Sequence, residues 1–180
     1  MSAPGKIGRF KISKELGRGS QGVVYLAIDS NLERNVAIKT IHRHHTKIGE
    51  KQERLMQEAR TVSKLQHPNI IPLYEANEHN GLLYLVFEYV DGISLKEQIV
   101  KDGPFVVHEA IKIMIQILDG IEAAHSQGVV HRDLSPNNIM LNKNGMPRIM
   151  DFGISVIISN GKSPENIIEG HVVIRKFYSF

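Results

Sequence analysis

Two aspartates, Asp133 and Asp151, constrain the fold of this chain more than any other feature of its sequence. Asp133 lies in a polar run, residues 131–138, that ends in Asn138, and Asp151 opens the sequence Asp-Phe-Gly. A carboxylate such as Asp133 can take a proton from a hydroxyl, and the oxygens of Asn138 and Asp151 are ligands that a hard divalent cation prefers. Because phosphoryl transfer uses both kinds of group, the sequence predicts a cleft in which the two segments meet.

Three glycines near the N-terminus have a second recognisable spacing. Gly17, Gly19 and Gly22 form Gly-x-Gly-x-x-Gly, which lets backbone lie close to phosphates and aim amide groups at their oxygens. The same spacing occurs in dinucleotide-binding folds, where a helix begins within the motif. Here the apolar, β-branched residues 23–28 follow and predict a strand. A plain glycine-rich hairpin remains the alternative.

Lys39 ends the strand-like sequence Val-Ala-Ile-Lys. A lysine that points into a folded lobe is costly unless it is paired with an acidic group. Glu58 is the expected partner, because it shares the register of the apolar face of a predicted helix. Glu50 and Glu53 are alternative partners, and the lysine could also lie on an edge strand and reach solvent.

These segments, in this chain order, resemble the signature set of the protein kinases of the serine/threonine type. The resemblance extends from about residue 10 to residue 153. It implies an α+β, two-lobed protein-kinase-like fold, with an antiparallel sheet and one helix in the N-lobe and a helical C-lobe. It also implies ATP and Mg²⁺ as cofactors and a protein substrate phosphorylated on serine or threonine.

The resemblance implies a role for each matching residue. Asp133 would accept the proton of the substrate hydroxyl, and Lys39 with Glu58 would hold the α- and β-phosphates. Asn138 and Asp151 would bind the metal ion. The residues that would surround the nucleotide are Leu16, Gly17, Gly19, Gly22, Val24, Ala37, Lys39, Phe87, Glu88, Val90 and Met140.

Other positions match the family less closely. His131 would pack as a support, and Arg132 would bind a phosphate or acidic group on the activation segment. In the family, a lysine usually lies two residues after the catalytic aspartate and neutralises the transferring phosphate. Here Ser135 takes that position, so a lower rate of phosphate transfer is expected. Residues 163–165, Ser-Pro-Glu, resemble the motif that closes an activation segment, and the segment before them is short.

Two other classes of function remain as alternatives. One is a nucleotide-binding regulatory module, or pseudokinase, that binds ATP and a partner without turnover. The other is a small-molecule phosphotransferase of the aminoglycoside type. That class shares the metal-binding and base residues but generally lacks the glycine loop and counterparts of Arg132 and Phe152.

The resemblance implies a tail at 1–9, an ATP-binding sheet lobe at 10–87, and a hinge, at residues 88–90, that opens an incomplete helical lobe at 88–180. The predicted strands are 10–16, 23–28, 36–41, 71–75 and 82–89, and the predicted helices are 50–65, 95–100 and 107–125. The last helix has such a wide apolar face that burial on most sides is expected. A complete kinase fold has roughly 250 to 300 residues, which is at the long end of single-domain sizes. This chain has 180 residues, so an incomplete C-lobe is expected.

Composition excludes several other classes. The 22 basic and 19 acidic residues are interleaved, without the basic stripe that nucleic-acid binding requires. No run of 18 apolar residues is present, so no membrane segment is predicted. The absence of cysteine excludes disulfides and thiolate metal sites and fits a cytoplasmic location. A cluster at His42, His44 and His45 is predicted to be a solvated loop, and the oligomeric state is not predicted.

Overall fold

The computed structural model describes residues 4–19, 21–42 and 50–152. The helices and strands are β1 (Lys6–Ile7), β2 (Phe10–Arg18), β3 (Gly22–Asp29), β4 (Arg34–Ile41), α1 (Glu50–Val62), β5 (Leu73–His79), β6 (Leu82–Glu88), β7 (Gly92–Ser94), α2 (Leu95–Asp102), α3 (Val107–His125), a 3-10 turn (Pro136–Asn138), β8 (Ile139–Asn142) and β9 (Pro147–Ile149). Among these residues no helix combines the length and apolar content needed to cross a membrane.

The first lobe is an antiparallel sheet with strand order β1-β2-β3-β4-β6-β5. α1 connects β4 to β5, and β6 then returns between them. A second, three-stranded sheet with the order β7-β8-β9 accompanies α2 and α3 in the other lobe. The predicted α+β, two-lobed architecture is therefore confirmed, although the small second sheet was not predicted.

Strand alternation gives the main sheet two different faces. Val36 and Ile38 of β4 lie in a core cluster with Phe10. Ala37 packs instead against the larger cluster that includes α1 and the second lobe. Because side chains two residues apart share a face, Lys39 lies on the side of Ala37. The lysine thus faces the second lobe rather than solvent.

A short strand lies within the segment predicted as a tail, residues 1–9. Lys6–Ile7 forms β1, which pairs antiparallel with β2, and Ile7 is 1% exposed. Gly8 has a φ of +54°, in the left-handed region that glycine adopts without strain. This turn lets the chain reverse and bury Ile7 beside Phe10.

A backbone ladder joins the lobes where the sequence predicted the start of a strand, at residues 71–75. The Ile71 amide donates to the Ile149 carbonyl at 2.8 Å, and the Ile149 amide donates to the Asn69 carbonyl at 2.7 Å. These bonds hold residues 69–71 against β9, so β5 begins only at Leu73. We call residues 69–72 the interlobe strap.

The bounds predicted for α3 agree with the structure, but its predicted burial does not. The buried residues of α3 are Ile117, Gly120 and Ala124. The exposed apolar residues of α3 include Val107, Ile111, Met114, Ile115 and Leu118. β9 and the strap pack on one face of the helix, and within the described residues this is not enough to cover the wide apolar surface.

We predict that the glycines of the loop differ sharply in their tolerance of a methyl group. A Cβ at Gly22 would collide with the carbonyl oxygen of Thr40 on the neighbouring strand, whereas a Cβ at Gly17 would meet nothing within 4 Å. Gly22→Ala should lower the free energy of unfolding by about 3 kcal/mol. Gly17→Ala should change it by less than about 1 kcal/mol. Urea unfolding of both variants tests this, and equal midpoints would contradict it.

Candidate active site

The buried Lys39 forms an ion pair with the partly buried Asp151. The Lys39 Nζ lies 2.8 Å from Asp151 Oδ2, and the two side chains are 9% and 12% exposed. β4 carries the lysine, and the aspartate follows β9 in the other lobe. Each buried charge is neutralised by the other, which offsets the cost of removing both from water.

The expected Lys39–Glu58 pair is not formed, and this is a correction to the sequence prediction. Glu58 Oε1 instead accepts a hydrogen bond from Arg132 Nη1 at 3.4 Å. Asp151, at 12% exposure, is more deeply buried than Glu58, at 27%. An unpaired Asp151 would cost more free energy than an unpaired Glu58, because Asp151 has less contact with water. Pairing Lys39 with Asp151 avoids that larger cost. Arg132, expected to bind the activation segment, thus contacts α1.

Asp133 and Asn138 lie next to each other in the loop that follows α3. The Asn138 Nδ2 donates to the Asp133 carbonyl at 2.8 Å and to Asp133 Oδ2 at 3.2 Å. The 3-10 turn at Pro136–Asn138 brings the amide back over the aspartate. The structure therefore places the predicted base within contact of one of the two predicted metal ligands.

Met150 links this loop to the segment that carries Asp151. The Met150 amide donates to the Asn138 carbonyl at 3.0 Å, and the Met150 carbonyl lies 2.8 Å from His131 Nε2. Because the residue next to Met150 is Asp151, the three predicted site residues Asp133, Asn138 and Asp151 belong to one hydrogen-bonded unit. Lys39 joins this unit through its ion pair.

His131 contacts both parts of this unit, the Asp133 loop and the segment at Met150. Its Nδ1 accepts from the Asp133 amide at 3.3 Å, and its ring packs 4.7 Å from that of Phe152. With a carbonyl at Nε2, these contacts assign the neutral tautomer that carries its proton on Nε2. Burial lowers the pKa of His131 below its usual 6.5, because desolvation disfavours the imidazolium.

Four of the apolar residues predicted to enclose the adenine base pack in one cluster between the main sheet and the second lobe. Ala37 pairs with Phe87 across β4 and β6, and Phe87, Val90 and Met140 belong to the same packed cluster. The remaining predicted positions lie on β2 (Leu16, Gly17), between β2 and β3 (Gly19), on β3 (Gly22, Val24), on β4 (Lys39) and at the end of β6 (Glu88). Leu16, Gly17 and Gly19 are exposed.

The two predicted metal ligands, Asn138 and Asp151, provide oxygen atoms but do not by themselves form a complete metal site. Among the described residues there is no group of three or more His, Asp or Glu side chains arranged to hold a metal ion. Mg²⁺ usually takes one or two protein oxygens and completes its octahedron with phosphates and water. The Asn138 amide oxygen and the Asp151 carboxylate fit that donor set. His44 and His45, Gly153, and the motif at 163–165 lie outside the described residues.

A cavity of about 690 Å³ lies away from this site, between the α2–α3 loop and the turn after β8. Its lining residues include Phe105, Lys112 and Asn144. None of the predicted catalytic, nucleotide or metal residues lines it. The cavity therefore adds nothing to the proposed chemistry.

Sequence reasoning overlooked one residue that contacts the site. Arg148 of β9 donates to the Glu88 carboxylate at 2.8 Å, at the point where β6 enters the hinge. Its signal in the sequence is a basic residue between Pro147 and Ile149, in a short strand that leads to Asp151. A charge in a segment that is otherwise apolar indicates a specific partner.

Comparisons with known proteins agree with this geometry. A sequence-family model described as "Protein kinase domain" matches residues 10–178. The chain is 40% identical over 153 residues to serine/threonine-protein kinase PrkC of Bacillus subtilis, which covers 85% of this chain and 24% of PrkC. It is 39% identical over 151 residues to a probable serine/threonine-protein kinase, pknA2, of Bifidobacterium longum, covering 82% of this chain and 20% of that protein.

The structure resembles the crystal structure of the kinase domain of PknI from Mycobacterium tuberculosis. The TM-score is 0.74 at 25% identity, and the match covers 86% of this chain and 64% of that one. The chain thus spans about a quarter or less of the length of the two curated relatives described above.

We predict that His131 makes the stability of the chain depend on pH. The pKa of buried His131 is lowered from 6.5, so below pH 6.5 the unfolded chain binds a proton that the folded chain does not. The free energy of unfolding should therefore fall as pH drops from about 6.5 to the lower folded pKa, with a slope of at most about 1.4 kcal/mol per pH unit. His131→Gln should remove this slope. Urea unfolding at several pH values tests it, with the exposed His125→Gln as control, and an unchanged slope in His131→Gln would contradict it.

Proposed function

The chain belongs to the protein kinase family, and we propose that it binds ATP with Mg²⁺ and transfers the γ-phosphate to a serine or threonine hydroxyl of a protein. One observation carries the proposal: Lys39, Asp133, Asn138 and Asp151 are joined in a single network of contacts between the lobes. The names of the relatives support the serine/threonine class. We further propose that the reaction takes place in the cytoplasm.

Asp133 is the proposed base. It accepts the proton of the substrate hydroxyl as the oxygen attacks the γ-phosphorus, so the bond to the bridging oxygen of ADP breaks while the new ester forms. Asn138 holds the Asp133 carboxylate through its Nδ2, which fixes the direction of the acceptor oxygen. His131 fixes the backbone of the loop through its contact with the Asp133 amide.

Lys39 is the proposed phosphate ligand. Its ammonium lies in a buried position, where an ionic hydrogen bond is stronger than in water. Asn138 and Asp151 would hold Mg²⁺, which supplies positive charge against the β- and γ-phosphates. Since Lys39 and Asp151 pair with each other, phosphates must displace Asp151 from the lysine. A metal that binds Asp151 would assist this exchange.

Two observations favour a second candidate function, a nucleotide-binding module without turnover. Glu58 is paired with Arg132 rather than with Lys39, and Ser135 stands where the family usually has a lysine. The first feature leaves Lys39 without the carboxylate that holds it against the phosphates in the family, and the second removes a positive charge near the transferring phosphate. Binding of Mg-ATP without phosphate transfer would identify this alternative.

We predict that Lys39→Met and Asp133→Asn each lower phosphate transfer by about 100-fold or more, because they remove the phosphate ligand and the base. Lys39→Met should also weaken ATP binding, whereas Asp133→Asn should leave it nearly unchanged. Radiolabel transfer and calorimetric titration measure the two effects. The exposed Lys14→Met and Asp119→Asn provide matched controls. Transfer that is unaffected by both active-site changes would refute these roles.

We predict opposite effects of Asp151→Asn with and without metal. Without Mg²⁺, ATP should bind about fivefold more tightly to the variant, because a neutral amide competes less strongly than a carboxylate for Lys39. With Mg²⁺ the wild type should bind more tightly, since it keeps the metal carboxylate. Titration with ATP in EDTA and in Mg²⁺ tests this, and a loss of affinity under both conditions would contradict the competition.

A further inference from the structure

Arg148 is a partly buried arginine outside the machinery proposed above. Its Nη2 donates to Glu88 Oε2 at 2.8 Å and to the Ile70 carbonyl at 3.3 Å. The side chain of Arg148 is 13% exposed and that of Glu88 is 32% exposed. One guanidinium therefore joins β9, the interlobe strap and the end of β6.

These side-chain contacts complete a backbone connection between the same segments. The Glu88 amide donates to the Pro72 carbonyl at 3.2 Å, and the Ile71 amide donates to the Ile149 carbonyl at 2.8 Å. The strap is thus bonded to the hinge on one side and to β9 on the other. Arg148 crosses the strap and links the two outer segments directly.

The Arg148–Glu88 contact orients the Glu88 side chain more than it stabilises the fold. The Nε of Arg148 is buried and has no hydrogen-bond partner, which costs on the order of 1 to 3 kcal/mol. Because the Glu88 side chain is 32% exposed, solvent screens its attraction to Arg148 and the pair adds little to stability. The main effect of the Arg148 charge is therefore geometric, because the guanidinium holds the Glu88 carboxylate at a defined position.

We propose that Arg148 is a positioning residue that fixes the distance between the adenine-binding hinge and the phosphate-binding centre. Glu88 and Val90 lie in the proposed adenine site, and Arg148 lies three positions before Asp151, the partner of Lys39. The inference rests on the proposed function and deepens it. ATP would bind the adenine site and the phosphate site at once, so its affinity depends on the distance between them. The affinity of a ligand that binds only one of these sites does not depend on that distance.

The test compares three ligands: ATP, adenosine and inorganic tripolyphosphate, each titrated calorimetrically in Mg²⁺. Arg148→Gln should lower the affinity for ATP about tenfold, while adenosine and tripolyphosphate bind within about twofold of wild type. Glu88→Gln should give a similar loss, and the double variant should lose little more, because the two residues act through one contact. Arg148→Lys, which keeps the charge, should recover most of the affinity for ATP.

The control is Arg60→Gln, which changes an exposed arginine on α1 that has no contact with Glu88 or with the interlobe strap among the described residues. Its affinity for ATP should match that of the wild type. If Arg148→Gln binds ATP as the wild type does while Lys39→Met does not, the positioning role is wrong and the proposed function stands. If all three ligands weaken together with the unfolding free energy, Arg148 is merely structural and the inference fails. A wild type that binds no ATP overturns both proposals.

Discussion

A single buried ammonium organises the contact between the two lobes. Burying the Lys39 ammonium is costly unless an acidic group pairs with it, and its strand turns it toward the second lobe. Asp151 supplies that partner at 2.8 Å. The residues on either side of Asp151 then set the rest of the site, since Met150 binds both His131 and Asn138.

The site is held by backbone as much as by side chains. The ladder between the interlobe strap and β9 fixes the strand from which Asp151 emerges, and Arg148 ties that strand to the hinge. Arg132 and Asp151 both adopt a left-handed backbone, with φ of 64° and 62°. Such conformations are uncommon outside glycine and persist where surrounding contacts hold them. Here the contacts are His131 to Met150 and Lys39 to Asp151.

Local patterns predicted most of the elements. The β-branched runs of β3 and β4 and the apolar period of α3 depend on neighbours along the chain, so their positions agree with the structure. The strands of the second sheet were not predicted, because β7 and β9 span only three residues each. Such short segments carry too little periodicity to distinguish a strand from a loop. The width of the apolar face of α3 did not predict its exposure, which depends on the elements that pack against it.

The sequence by itself determined the family, the α+β class, and which residue types are available for the proposed chemistry, because order and spacing along the chain carry that information. Only the tertiary structure decided the partners. Several carboxylates compete for Lys39, and their relative burial selects Asp151 over Glu58. Arg132 then pairs with Glu58, and Arg148 with Glu88. Ion-pair energies depend on distances of a few ångströms and on local burial, and a linear sequence specifies neither.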